Sequence, residues 1–168
     1  GMASARGTVS CVTPSRADPR ILAVELSLNG QQYTADATPY GFYTEAVLSS
    51  ALPLSGPQQG GTALLINASF LGNGSDSRCR FFGLTPPALH APWVEAHLGG
   101  ESPATFDVAR GLARCVSPAL PEVEHGGYTG YPNAYIASLR ITKNGQNYDL
   151  AGLPFSYFRQ PRPLFFDP

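Results

Sequence analysis

The chain has 168 residues and a formal net charge of -1, enough length for one ordinary domain plus a fragment, or for two small ones. So balanced a charge supplies no electrostatic footprint for nucleic acid or an anionic membrane. No apolar run approaches the roughly 20 residues of a membrane-spanning helix, and no signal peptide is visible. Glycine (18) and proline (16) are frequent and charged residues are only 14%, a balance that suits short strands joined by many turns.

In chain order, Gly1-Met2 reads as an expression remnant and the chain as a piece of something longer. Ala5-Arg6-Gly7-Thr8-Val9-Ser10-Cys11-Val12-Thr13-Pro14 returns as Ala109-Arg110-Gly111-Leu112-Ala113-Arg114-Cys115-Val116-Ser117-Pro118, an offset of 104. Glu25-Leu26-Ser27-Leu28-Asn29-Gly30-Gln31-Gln32-Tyr33 returns as Arg140-Ile141-Thr142-Lys143-Asn144-Gly145-Gln146-Asn147-Tyr148, an offset of 115. Pro39-Tyr40-Gly41-Phe42-Tyr43 matches Pro154-Phe155-Ser156-Tyr157-Phe158 at the same 115. The later copy therefore holds an 11-residue insertion (115 minus 104) after its Cys-Val-Ser-Pro. Such internal self-similarity is the mark of a repeat architecture.

Each copy predicts a hairpin. Asn29-Gly30 and Asn144-Gly145 are two-residue turn signals, because a type I′ turn needs φ > 0 at both central positions. Val24, Leu26 and Leu28 in one copy, and Ile136, Leu139 and Ile141 in the other, supply the apolar positions of the flanking strands. Between the copies, Pro57 and Gly60-Gly61 predict a turn. A strand follows, with Leu64, Ile66, Ala68 and Phe70 on one face and Ala63, Leu65, Asn67 and Ser69 on the other. Another strand is expected around Cys79-Arg80-Phe81-Phe82-Gly83. No segment keeps a helical period over three turns, so the chain reads as all-β.

The opening Gly56-Pro57-Gln58-Gln59-Gly60-Gly61-Thr62, Cys79-Arg80-Phe81, Cys115-Val116-Ser117-Pro118, Asn144-Gly145-Gln146-Asn147-Tyr148 and Pro154-Phe155-Ser156-Tyr157 together resemble an IPT/TIG domain. That family is a variant of the immunoglobulin-like β-sandwich, found in plexins and other surface receptors, in some transcription factors and as modules in enzymes. Ala68 stands where the family has a turn glycine. The Asn-Gly hairpin before an aromatic strand also resembles filamin-type immunoglobulin-like repeats. The resemblance implies a complete domain over residues 48–160. It makes residues 3–47 the C-terminal half of a preceding repeat and residues 161–168 a linker into a further one. It also implies that Cys79 and Cys115 pair, closing a loop of about 36 residues for roughly 3–4 kcal/mol in the chain-entropy model. Cys11 then holds the place of Cys115, with its partner outside the chain. The alternative is three buried thiols.

Two N-x-Ser sequons, at Asn67 and Asn73, are glycosylation candidates. With the cysteine pair they favour a cell-surface or secreted protein over a cytosolic or ciliary scaffold. Catalytic signatures are absent: no Gly-x-Ser-x-Gly elbow, P-loop or dinucleotide fingerprint occurs. His90 and His97 lack metal-ligand spacing, and Glu122, Glu124 and His125 read as a solvated acidic loop. We therefore expect no enzyme, metal or cofactor. The inserted segment holds His125, Tyr128, Tyr131 and Tyr135 among Gly, Pro and Asn, a composition that binding loops use. The same tyrosines could instead fold back as a lid, and Trp93 could be a core plug or an exposed anchor. The expected function is a spacer and a contact surface for protein or glycan in a tandem array, without nucleic acid. Alternatives are an intracellular structural scaffold and an accessory domain of a carbohydrate-active enzyme. The unpaired half-domain leaves a strand-exchanged homodimer open.

Overall fold

The computed structural model describes residues 7–85, 94–96, 100–120 and 134–160. The chain divides into two units, Gly1–Thr44 and Glu45–Pro168. Among the described residues all regular structure is β.

The first unit contains β1 (Arg20–Val24) and β2 (Thr38–Phe42), an antiparallel pair with Arg20 opposite Phe42 and Val24 opposite Thr38. In the second unit, β3 (Val47–Leu52), β5 (Ala63–Ser69), β10 (Leu112–Val116) and β9 (Thr105–Asp107) form one sheet in that order. A second sheet runs β4 (Ser55–Pro57), β12 (Leu153–Phe158), β11 (Ala134–Thr142), β6 (Arg78–Thr85) and β7 (Val94–Ala96), with β8 (Glu101–Pro103) also on β6. β4 pairs parallel to β12, and every other pairing in this sheet is antiparallel. The inner faces of the two sheets share one core, so the unit is a β-sandwich.

Period-two alternation builds that core. On β5, Leu64, Ile66 and Ala68 are buried while Ala63, Leu65, Asn67 and Ser69 face solvent. Phe70 departs from the expected alternation. Its φ of 59° ends the strand, its ring is exposed, and Leu71 is the next buried side chain. On β11 the inward residues are Ala137, Leu139 and Ile141. Ile136 was expected beside them but lies exposed, one step out of phase. At the centre, Phe81, Phe155 and Tyr157 are fully buried, with ring centroids 5.2 Å apart for Phe81–Phe155 and 4.9 Å for Phe155–Tyr157.

Motifs distant in sequence converge at one end of the sandwich. The Gly61 N–H donates to the Ser117 carbonyl (2.8 Å), the Thr62 N–H to Ser117 Oγ (3.1 Å) and the Ser117 N–H to the Thr62 carbonyl (2.8 Å). The Tyr157 hydroxyl donates to the Pro118 carbonyl (3.1 Å). Gly60, with φ of 75°, passes so close that an added Cβ would lie 2.5 Å from backbone atoms of Pro118 and Ala119. Thus the Gly-Gly-Thr opening, the Cys-x-Ser-Pro end of β10 and the closing aromatic strand form a single clasp.

The Asn-Gly turns are not of type I′. Gly30 (φ 72°) and Gly145 (φ 73°) are left-handed, but Asn29 and Asn144 are not. Each asparagine instead caps its own turn, as Asx turns do. Asn29 Oδ1 accepts from the N–H groups of Gln31 (3.0 Å) and Gln32 (3.1 Å), and Asn144 Oδ1 from Gln146 (3.0 Å) and Asn147 (2.9 Å). The same arrangement occurs in both units, 115 residues apart.

Truncating Phe81 would leave a cavity at the aromatic centre. Phe81→Ala should destabilise the Glu45–Pro168 unit by about 3–5 kcal/mol, measured by urea denaturation of the oxidised chain.

Candidate functional site

Cys79 on β6 and Cys115 on β10 form a disulfide between the two sheets, with Cα atoms 6.3 Å apart and 36 residues of separation. Both are buried in the core. Cys11 is exposed and is a free thiol.

Both sequons face solvent. Asn67 sits on the outer face of β5, where its Nδ2 donates to Ser50 Oγ (2.8 Å) and its carbonyl accepts from Ser49 Oγ (3.0 Å). Asn73 occupies a left-handed turn (φ 64°). That turn is fastened to Lys143, whose buried ammonium donates to the carbonyls of Phe70 (2.7 Å) and Gly72 (3.0 Å). The Lys143 carbonyl in turn accepts from the N–H groups of Ser75 and Asp76. Burial pushes the Lys143 amine below its usual range. Lys143 thus ties down both flanks of the turn that presents Asn73 outward.

Of the tyrosine-rich segment, His125, Tyr128 and Tyr131 lie outside the described residues, as do Trp93, His90, His97, Glu122, Glu124 and residues 161–168, expected as a linker. Tyr135 belongs to β11, opposite Tyr157, with its ring against the core. Burial raises the pKa of its hydroxyl.

Sequence reasoning missed a cluster of arginines and aromatic rings on the outer face of the second sheet. Arg80 and Arg140 face each other across β6 and β11. Their guanidinium carbons lie 4.6 and 4.9 Å from the centroid of Phe82. Arg80 also covers Tyr148, at 5.3 Å. Glu101 on β8 gathers the group: it accepts from the Tyr148 hydroxyl (2.7 Å) and pairs with Arg80 (3.3 Å) and Arg78 (3.5 Å). Arg78 pairs also with Asp76 at 2.9 Å. Its hydrogen bond holds the Asp76 carboxyl below the usual range. The only signal was the alternation Arg78, Arg80, Phe82, which puts all three on one strand face. A second exposed surface lies on the outer side of β3, β5 and β10. There Leu52, Leu65 and Val116 stand beside Arg114.

No protein-family model and no curated protein matches the chain.

Burial first, and then the hydrogen bond to Glu101, push the Tyr148 hydroxyl from 10.0 up to about 12. The unfolded chain releases this proton near pH 10 whereas the fold retains it. Tyr148 therefore contributes stability that is complete below pH 10 and lost as pH rises towards 12. The urea midpoint should fall over that interval, and Tyr148→Phe should make the fall shallower.

Proposed function

We propose that the chain is a non-catalytic segment of a tandem array of immunoglobulin-like domains of the IPT/TIG kind, in a cell-surface or secreted protein. Its work is to space the array and to offer surfaces for protein or glycan contact. One observation carries this reading. The β1–β2 hairpin and its turn duplicate β11–β12 and their turn residue by residue, in one register and with the same asparagine cap. On that reading the Gly1–Thr44 unit is the closing half of one domain and the Glu45–Pro168 unit holds a complete neighbour, whose core begins at Ala46 rather than at the expected residue 48. The buried cross-sheet disulfide supports an oxidising compartment, and the two exposed sequons support the same placement. Contact surfaces are the arginine–aromatic face around Phe82 and the apolar strip of Leu52, Leu65 and Val116.

Intact mass of material secreted by a eukaryotic host, with and without reduction and alkylation, tests the compartment. The expected result is a Cys79–Cys115 bridge, Cys11 outside it, and glycan on Asn67 or Asn73. Three thiols that alkylate without reduction, together with no glycan mass, would overturn the surface assignment in favour of an intracellular scaffold.

A further inference from the structure

The hairpin of the first unit has a counterpart whose surroundings are known in detail. Subtracting 115 turns the pair Tyr135–Tyr157 into Arg20–Phe42, and Leu139–Leu153 into Val24–Thr38, and both are observed pairs. Hydrogen bonds follow the same mapping. Leu26 and Thr34 exchange an N–H to Thr34 Oγ1 (3.0 Å) and an N–H to the Leu26 carbonyl (2.9 Å). Ile141 and Asp149 do the same with Asp149 Oδ1 (2.6 Å) and the Ile141 carbonyl (3.1 Å). Even the edge-on ring pair recurs, Tyr40–Phe42 at 5.2 Å and Phe155–Tyr157 at 4.9 Å.

Burial does not follow. Leu139 and Ile141 are 0% and 1% exposed, whereas Val24 and Leu26 are 45% and 41% exposed. Phe155 is 0% exposed and Tyr40 39%. In the second unit β6 pairs on the free edge of β11 and β4 on that of β12. Among the described residues β1 and β2 pair only with each other. An apolar face and two open edges are thus retained on an element whose counterpart has all three covered.

The register states what would fit. A strand like β6 on the open edge of β1 places its Phe81 equivalent opposite Val24, its Cys79 equivalent opposite Leu26 and its Arg80 equivalent opposite Glu25. Within the second unit Arg80 faces Arg140, with both guanidiniums on the Phe82 ring. Glu25 replaces that like-charged pairing by a complementary one. Tyr33, the counterpart of Tyr148, is exposed where the same guanidinium would stack. Cys11, the counterpart of Cys115, is exposed and free.

We propose that the β1–β2 hairpin with Cys11 is a docking surface for the front half of a domain of this same kind. That partner supplies strands equivalent to β4, β5 and β6, a basic residue facing Glu25, and a cysteine in the place of Cys79 that bridges to Cys11. The bridge forms by exchange: the two thiols give up two electrons and two protons to a low-molecular-weight disulfide, which is reduced to two thiols. The docking rests on the repeat reading but not on its compartment, whereas the bridge also requires an oxidising one.

The test is an extended chain in which a copy of residues 45–108 is joined ahead of Ala5, the counterpart of Ala109, and refolded in a glutathione redox buffer. A second bridge, between the copied cysteine and Cys11, should appear in non-reduced peptide maps. Backbone amides of Leu22 to Leu26 should exchange about 100-fold or more slowly than in the parent chain. Serine in place of the copied cysteine should keep much of that protection. Val24→Lys should remove it and leave the Cys79–Cys115 unit intact. The proposal is overturned if Cys11 of the extended chain alkylates without reduction and the β1 amides exchange as in the parent. It is equally overturned if the added segment stays protease-sensitive while the Glu45–Pro168 unit keeps its bridge. Absence of glycan and reduced cysteines would refute the surface assignment while leaving the docking, read by amide exchange in the serine variant, unaffected.

Discussion

A β-hairpin alone in water buries too little to hold its shape, and this molecule contains the same hairpin twice in different surroundings. In the Glu45–Pro168 unit β11 and β12 are flanked by β6 and β4, and their inner face is closed over Phe81, Ile66 and the Cys79–Cys115 bridge. Each large side chain taken from water there contributes roughly 1.5–3 kcal/mol. Turn chemistry, by contrast, is equivalent in the two copies. Local hydrogen bonding therefore chooses the shape of the hairpin, and what covers it decides how firmly that shape is held.

The polar groups of the second unit are arranged to let that closure happen. Asp149, buried, accepts from the N–H groups of Ile141 and Gly152. Ser117 satisfies both backbone groups of Thr62. Lys143 sends its ammonium to two carbonyls of the turn that presents Asn73. Because buried donors and acceptors are costly when unmade, these contacts fasten the loops to the sandwich ends. The outer faces remain available, one carrying arginines stacked on rings and the other an apolar strip beside Asn67. A frame with dissimilar outer faces suits the proposed role of a spacer that also makes contacts.

Much of the fold was legible because alternation and repetition are written in single residues. The inward set of Leu64, Ile66 and Ala68 follows from period two, and the offset of 115 maps one hairpin onto the other in register. Ile136 misled because composition groups it with Leu139 and Ile141, although its odd spacing from both puts it on the opposite strand face. Phe70 misled because the strand ends there in a left-handed residue whose carbonyl accepts from Lys143, 73 residues away. Asn-Gly suggested a type I′ turn, yet the same asparagine is an equally good side-chain cap, and sequence alone does not separate the two. The arginine–aromatic face was only partly legible for a related reason: alternation aligns Arg78, Arg80 and Phe82, but Glu101, Arg140 and Tyr148 meet them only after β8 and β11 pair with β6. Cys79–Cys115 came from a family resemblance, not from spacing.

Leu26 and Ile141 provide the most direct test, since each amide donates to a side-chain oxygen eight residues on, a hydroxyl for Leu26 and a carboxylate for Ile141, while their burial is opposite. Residue-resolved hydrogen exchange on the parent chain should find the Ile141 amide opening only with the whole unit, at least about 1,000-fold slower than Leu26 after correction for intrinsic rates. Comparable protection at the two amides would contradict the account, because the first hairpin would then be held as firmly as the second.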